Sequence, residues 1–201
     1  MQFKIKNTVY KISFTFLALI LFVLTISKSR TVALMLLFAF AHEIIHLVFI
    51  YHFSVAPKMV SFSLFGANIQ RELTSTNSFN SEIIINASAP VFNLFTGAVF
   101  FLFSKLGSNY EMQLTEISNL NLLLGCFNLI PFYSFDGGNI IENVLLKYFN
   151  NKTTEKTLTC ISLMVTVVFS FVSIYVFFNY QHNFSLFIMC IYMFLSIIFK
   201  K

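Results

Sequence analysis

His42, Glu43 and His46 stand in the pattern His-Glu-Ile-Ile-His. On an α-helix, positions i and i+4 share a face. Two imidazoles at that spacing can grip one metal ion, and zinc suits them well. Glu43 lies beside them and can serve as the base that takes a proton from water. This is equipment for hydrolysing a peptide bond. Its setting narrows the reading further. The motif sits inside the apolar run Thr31 to Phe53, long enough to cross a bilayer as a helix. Ionisable groups at membrane depth are costly and are usually functional. The residues therefore point to hydrolysis within a membrane.

A catalytic zinc takes three protein ligands and keeps one position open. His52 occupies the third-histidine place of an extended motif, but that motif needs glycine where this chain has Phe49. On a continuing helix His52 lies about 240° around from His46 and cannot reach the same ion. It reads as an interfacial histidine, as does His182. The other candidate is Asp136, the only aspartate in the chain. It lies in Asn128-Leu129-Ile130-Pro131-Phe132-Tyr133-Ser134-Phe135-Asp136-Gly137-Gly138. Pro131 interrupts a helix, and the paired glycines permit close backbone approach. Irregular backbone at membrane depth is tolerated where it lines a cavity or lies within protein. A carboxylate there is a metal ligand or the cap of the helix that follows.

Composition sets the elements that must position these groups. Of 201 residues, 57% are hydrophobic and 10% charged, far below the roughly 25% charged of a soluble domain. Mean hydropathy is +0.79. The net charge of +5 does not indicate nucleic-acid binding, because the lysines flank apolar runs as membrane anchors do. Cys126, Cys160 and Cys190 lie in separate apolar segments without paired spacing and read as buried, inert thiols.

The pattern predicts an all-α polytopic membrane protein with six transmembrane helices, at about 9–27, 31–53, 83–106, 114–133, 157–179 and 184–199. The first run is read as a retained span, since no small-residue cleavage pattern follows it. With the N-terminus inside, ten of the 13 basic residues face the cytoplasm: Lys4, Lys6, Lys11, Lys58, Arg71, Lys147, Lys152, Lys156, Lys200 and Lys201. Both termini are then cytoplasmic. After the second span, Val60, Phe62 and Leu64 alternate with Ser61 and Ser63 before Gly66. That predicts a short β-hairpin or re-entrant segment, or else a plain loop. A hairpin edge would hold a substrate extended by strand addition. The whole chain, 1–201, is expected to be one membrane-embedded domain. Its motif-bearing core lies at about 31–145, and two plain spans follow at about 157–199, after the polar turn Asn150 to Thr154.

His-Glu-Ile-Ile-His in an early span, joined to Asn-Leu-Ile-Pro-Phe-Tyr-Ser-Phe-Asp-Gly-Gly about 90 residues later, resembles the site-2 protease (M50) family of intramembrane zinc metalloproteases. Asn86-Ala87-Ser88-Ala89-Pro90-Val91-Phe92-Asn93 resembles a further segment of that family, with Ala89 at its usual glycine. The plan is most similar to the stage IV sporulation protein FB branch, without that branch's CBS domain. The resemblance implies one Zn2+ per chain on His42, His46 and Asp136, with Glu43 as catalytic base. It implies that Asn128 and Pro131 line the substrate cleft and that Asn86 and Asn93 assist. It further implies a membrane-spanning or membrane-associated protein substrate cut near the cytoplasmic face, a regulatory membrane protein as partner, and a bacterial plasma membrane as the location. The competing reading is a catalytically inactive scaffold for transmembrane partners. The intact Glu43 weighs against it. A metal transporter would need ionisable residues along several spans, and the outer halves here carry almost none.

Overall fold

The computed structural model describes residues 2–5, 8–53, 59–63, 66–70, 78–107, 110–179 and 184–199. His182, Leu64 and the basic residues Lys6, Lys58, Arg71, Lys200 and Lys201 lie outside the described residues. The chain divides into two compact units, Met1–Phe127 and Asn128–Lys201.

The first unit opens with a hairpin, β1 (Gln2–Ile5) and β2 (Thr8–Ile12). Two helices follow, α1 (Phe14–Ser27) and α2 (Arg30–Phe53), and then the hairpin of β3 (Met59–Ser63) and β4 (Gly66–Gln70). The hairpin expected after the second span is thus present. The mostly helical expectation with one hairpin is extended by a second, N-terminal hairpin, and the two join into one four-stranded sheet of order β1-β2-β3-β4. Its central pair is parallel, with Val9 opposite Met59 and Ile12 opposite Phe62. Parallel neighbours need a long crossover, and α1 with α2 supplies it. Val60 is fully buried. Thr8 Oγ1 lies 2.8 Å from the Tyr51 hydroxyl, tying the sheet to the C-terminal end of α2.

Two more helices complete this unit, α3 (Phe79–Lys105) and α4 (Glu111–Asn128). Ser78 caps α3, its Oγ accepting from the Ser81 N–H at 3.2 Å, and Glu82 in the first turn complements the helix dipole. The α3 face built from Ile85, Ser88, Ala89, Pro90, Asn93 and Gly97 is buried. Against α4 the approach is close: a Cβ at Gly97 would come within 2.7 Å of Leu122, and one at Gly125 within 2.9 Å of Leu94. Ser118 donates to the Gly97 carbonyl at 2.8 Å. Small residues and a hydroxyl are what let membrane helices meet so closely.

The second unit holds α5 (Asp136–Leu146), α6 (Asn151–Asn179) and α7 (Ser185–Ile198). The turn Leu129–Phe135 before α5 is packed onto its first residues. A Cβ on Gly137 would strike the Leu129 carbonyl, and one on Gly138 the Phe132 carbonyl. Along α6 the buried face is Thr154, Leu158, Ser162, Thr166 and Ser173.

Among the described residues three helices, α2, α3 and α6, are long and apolar enough to cross a membrane. Only 17% of the apolar window of α2, and the same share of α6, is buried, so broad apolar surface is left for lipid to cover. These features make the chain an integral membrane protein. The other expected spans correspond to shorter or more polar helices. The first loses its opening residues to β2, and α1 and α7 have 14 residues each. Cys190 is buried, but Cys126 and Cys160 are exposed, against the expectation of burial. Cys160 lies on the apolar helix α6, where an outward thiol is compatible with lipid.

Gly138→Ala should lower the midpoint of thermal unfolding in detergent by several degrees. The obstructing atoms are backbone, and overpacking of this kind costs about 1–3 kcal/mol. An unchanged midpoint would contradict the packing of this turn.

Candidate metal centre

Helix α2 places His42 and His46 one turn apart with ring centroids 4.9 Å from each other and planes at 85°. Both are buried, at 4% and 8% exposure, on a helix that is otherwise largely exposed. Their surroundings come from α3. His46 Nδ1 lies 3.0 Å from the Ile85 carbonyl. A carbonyl can only accept, so Nδ1 carries the proton and Nε2 carries the ring's lone pair. His42 Nδ1 lies 3.2 Å from Asn93 Oδ1, which selects the same tautomer. Neutral imidazoles with Nδ1 bound to an oxygen and Nε2 as the donor atom are the form in which histidine binds zinc. The residues present therefore fit a zinc ion.

Each α3 partner is itself fixed. Asn93 is fully buried. The Ile85 carbonyl also accepts from the Ser88 hydroxyl at 2.7 Å. It lies five residues before Pro90, whose missing N–H leaves the neighbouring Asn86 carbonyl without its intrahelical donor. Glu43 is half-buried on α2, between the histidines in sequence.

In the second unit, Asp136 is the first residue of α5 and is half-buried. The capping position belongs to Phe135, whose side chain makes no capping bond. Asp136 is therefore not the N-cap, although a carboxylate in the first turn still meets the positive end of the helix dipole. Asn128 ends α4 and Pro131 lies in the turn that follows, each half-buried. His52 is exposed at the end of α2, its ring edge-on to Phe53 at 4.8 Å. The Ile85 carbonyl had no signal in the sequence, because a backbone acceptor has no residue type. Asn86, one candidate helper, donates to the Glu82 carbonyl of its own helix at 2.8 Å.

Residues 107–173 match the model of Peptidase family M50. Over 117 residues, 51% of the chain, the sequence is 30% identical to a zinc metalloprotease of Methanocaldococcus jannaschii. The chain spans about a third of that relative's length, 34%. Among solved structures it matches a site-2 protease from Methanocaldococcus jannaschii with a TM-score of 0.64 at 21% identity, covering 98% of this chain and 93% of that one. The fold is that of a site-2 protease. The family model matches about a third of the chain and the curated relative is a zinc metalloprotease, while the structural likeness is one of fold. The family-model match includes the turn from Asn128 to Gly138 and begins well after the histidine pair.

Replacing Asn93 by Ala removes the acceptor at His42 and should weaken zinc binding about 10–100-fold, measured by competition with a chromogenic chelator. Asn93→Asp keeps an acceptor there and should restore most of the affinity. Equal affinity in Asn93→Ala would show that this bond does not prepare His42 for a metal.

Proposed function

We propose that this protein is an intramembrane zinc metalloendopeptidase. It would cut a membrane-spanning or membrane-associated protein near the cytoplasmic face of a bacterial plasma membrane in which both its termini are cytoplasmic. The observation that carries the reading is the pair of buried histidines on an apolar helix, each with Nδ1 committed to an oxygen of α3. His42, His46 and Asp136 would hold the ion, a two-nitrogen, one-carboxylate set of the kind catalytic zinc uses. When bound, zinc would lower the pKa of a water toward neutrality and polarise the scissile carbonyl.

The chain's own residues do the rest. Glu43 takes the proton of the attacking water and gives it to the departing nitrogen, so the leaving group departs as a neutral amine and not as an amide anion. Asn128 and Pro131 line the substrate cleft. A scissile bond inside an intact helix is hydrogen-bonded and shielded, so the substrate must be held extended. Strand β4 pairs only with β3 among the described strands, and its other edge can accept an extended segment by strand addition. A regulatory membrane protein would govern access. The finer placement, in the stage IV sporulation protein FB branch, rests on the order of the motifs.

The test is cleavage of a reconstituted single-span substrate with zinc content measured alongside. Glu43→Gln should keep its zinc and lose roughly 10²–10⁴-fold in rate. Asp136→Ala should lower zinc affinity, leaving the weaker grip of the two histidines, and abolish cleavage, while His52→Ala should leave both intact. A Glu43→Gln variant that cleaves like the wild type would defeat the catalytic reading. An Asp136→Ala variant with full zinc would defeat the ligand assignment alone.

A further inference from the structure

The turn that leads into Asp136 is gripped from outside by both of the last two helices. The Tyr133 backbone N–H donates to Ser162 Oγ on α6 at 3.1 Å, and the Tyr133 hydroxyl donates to the Ser196 carbonyl on α7. Between Tyr133 and Asp136 the chain is closed on itself: the Phe135 N–H donates to the Phe132 carbonyl at 2.9 Å, and the Asn139 N–H to the Phe135 carbonyl at 3.1 Å. Phe132 is fully buried, with its ring 5.1 Å from those of both Tyr133 and Phe135. The two glycines after Asp136 press against the carbonyls of Leu129 and Phe132. Turning the start of α5 would therefore break bonds to α6 and to α7 together. Ser162 is itself held in the buried face of α6, its carbonyl accepting from Thr166 Oγ1 at 2.8 Å.

These two helices carry no residue with an assigned chemical role, yet each presents one acceptor oxygen to the same tyrosine. We propose that Tyr133 is a positioning residue for Asp136, and that α6 and α7 serve as its clamp through Ser162 Oγ and the Ser196 carbonyl. This rests on the reading of Asp136 as a metal ligand. A carboxylate held in one direction loses less freedom when it takes a cation, and Tyr133 acts on it through the closed turn between them. The clamp gives the last two spans a role in metal binding that their composition alone does not reveal.

The experiment uses the full chain in lipid nanodiscs with Co(II) as probe. Affinity is read by chelator competition, and coordination by the visible absorption bands of the bound ion. Tyr133→Phe keeps the ring and removes the hydroxyl. It should lower Co(II) affinity about tenfold and shift the bands, and Ser162→Ala should act in the same direction. In an Asp136→Ala background, Tyr133→Phe should change affinity by less than about twofold, since the residue it acts through is gone. Should Tyr133→Phe not fold, Ser162→Ala in the same two backgrounds makes the comparison. Wild-type affinity and bands in the clamp variants, or an equal loss in both backgrounds, would overturn the clamp and leave the ligand reading standing. Unchanged affinity and bands in Asp136→Ala alone would overturn the ligand reading and the clamp with it.

Discussion

An imidazole can offer Nε2 to a metal only if the proton on Nδ1 has an acceptor, and at membrane depth that acceptor must come from protein. Helix α3 provides one for each ring, the Asn93 side chain for His42 and the Ile85 carbonyl for His46. Much of the first unit can be understood as the means of bringing α3 that close. Its buried face carries the small residues Ser88 and Ala89 beside Ile85 and Asn93, while Gly97 packs against Leu122 of α4. The small side chains let the helices approach. Elsewhere α2 is exposed and apolar, so the same helix presents a polar pair inward and a lipid-compatible surface outward.

The second unit solves a related problem with backbone instead of side chains. A carboxylate that follows an irregular turn needs that turn to be rigid. Here Gly137 and Gly138 allow contact that any Cβ would prevent, while Tyr133 bonds in two directions. The polar face of α6 is compatible with an apolar membrane helix because hydroxyls at Thr166 and Ser170 bond back to carbonyls of their own helix.

How much of this was legible in the sequence depended on range. The i, i+4 histidine pair is a local pattern, and its shared face follows from helix geometry. The hairpin at Met59–Ser63 and Gly66–Gln70 was legible because apolar and polar residues alternate before a glycine. The first hairpin was missed although Phe3 and Ile5 alternate with Lys4 and Lys6. Those lysines also fit a membrane flank, and the competing pattern was preferred. The parallel pairing of Val9 with Met59 joins residues about 50 apart and leaves no local trace. The Ile85 carbonyl and the grip of α6 and α7 on Tyr133 were out of reach for the same reason: they are backbone or long-range contacts. The cap reading of Asp136 was undecidable from residue types, and the structure assigns the cap to Phe135.

The central claim is a mononuclear zinc site built on the two histidines of α2. X-ray absorption at the zinc edge of the purified, zinc-loaded protein tests it most directly. The account predicts one zinc per chain with two imidazole nitrogens at about 2.0–2.1 Å and the remaining donors oxygen. A protein that takes up no zinc, or a spectrum without imidazole scattering, would contradict it.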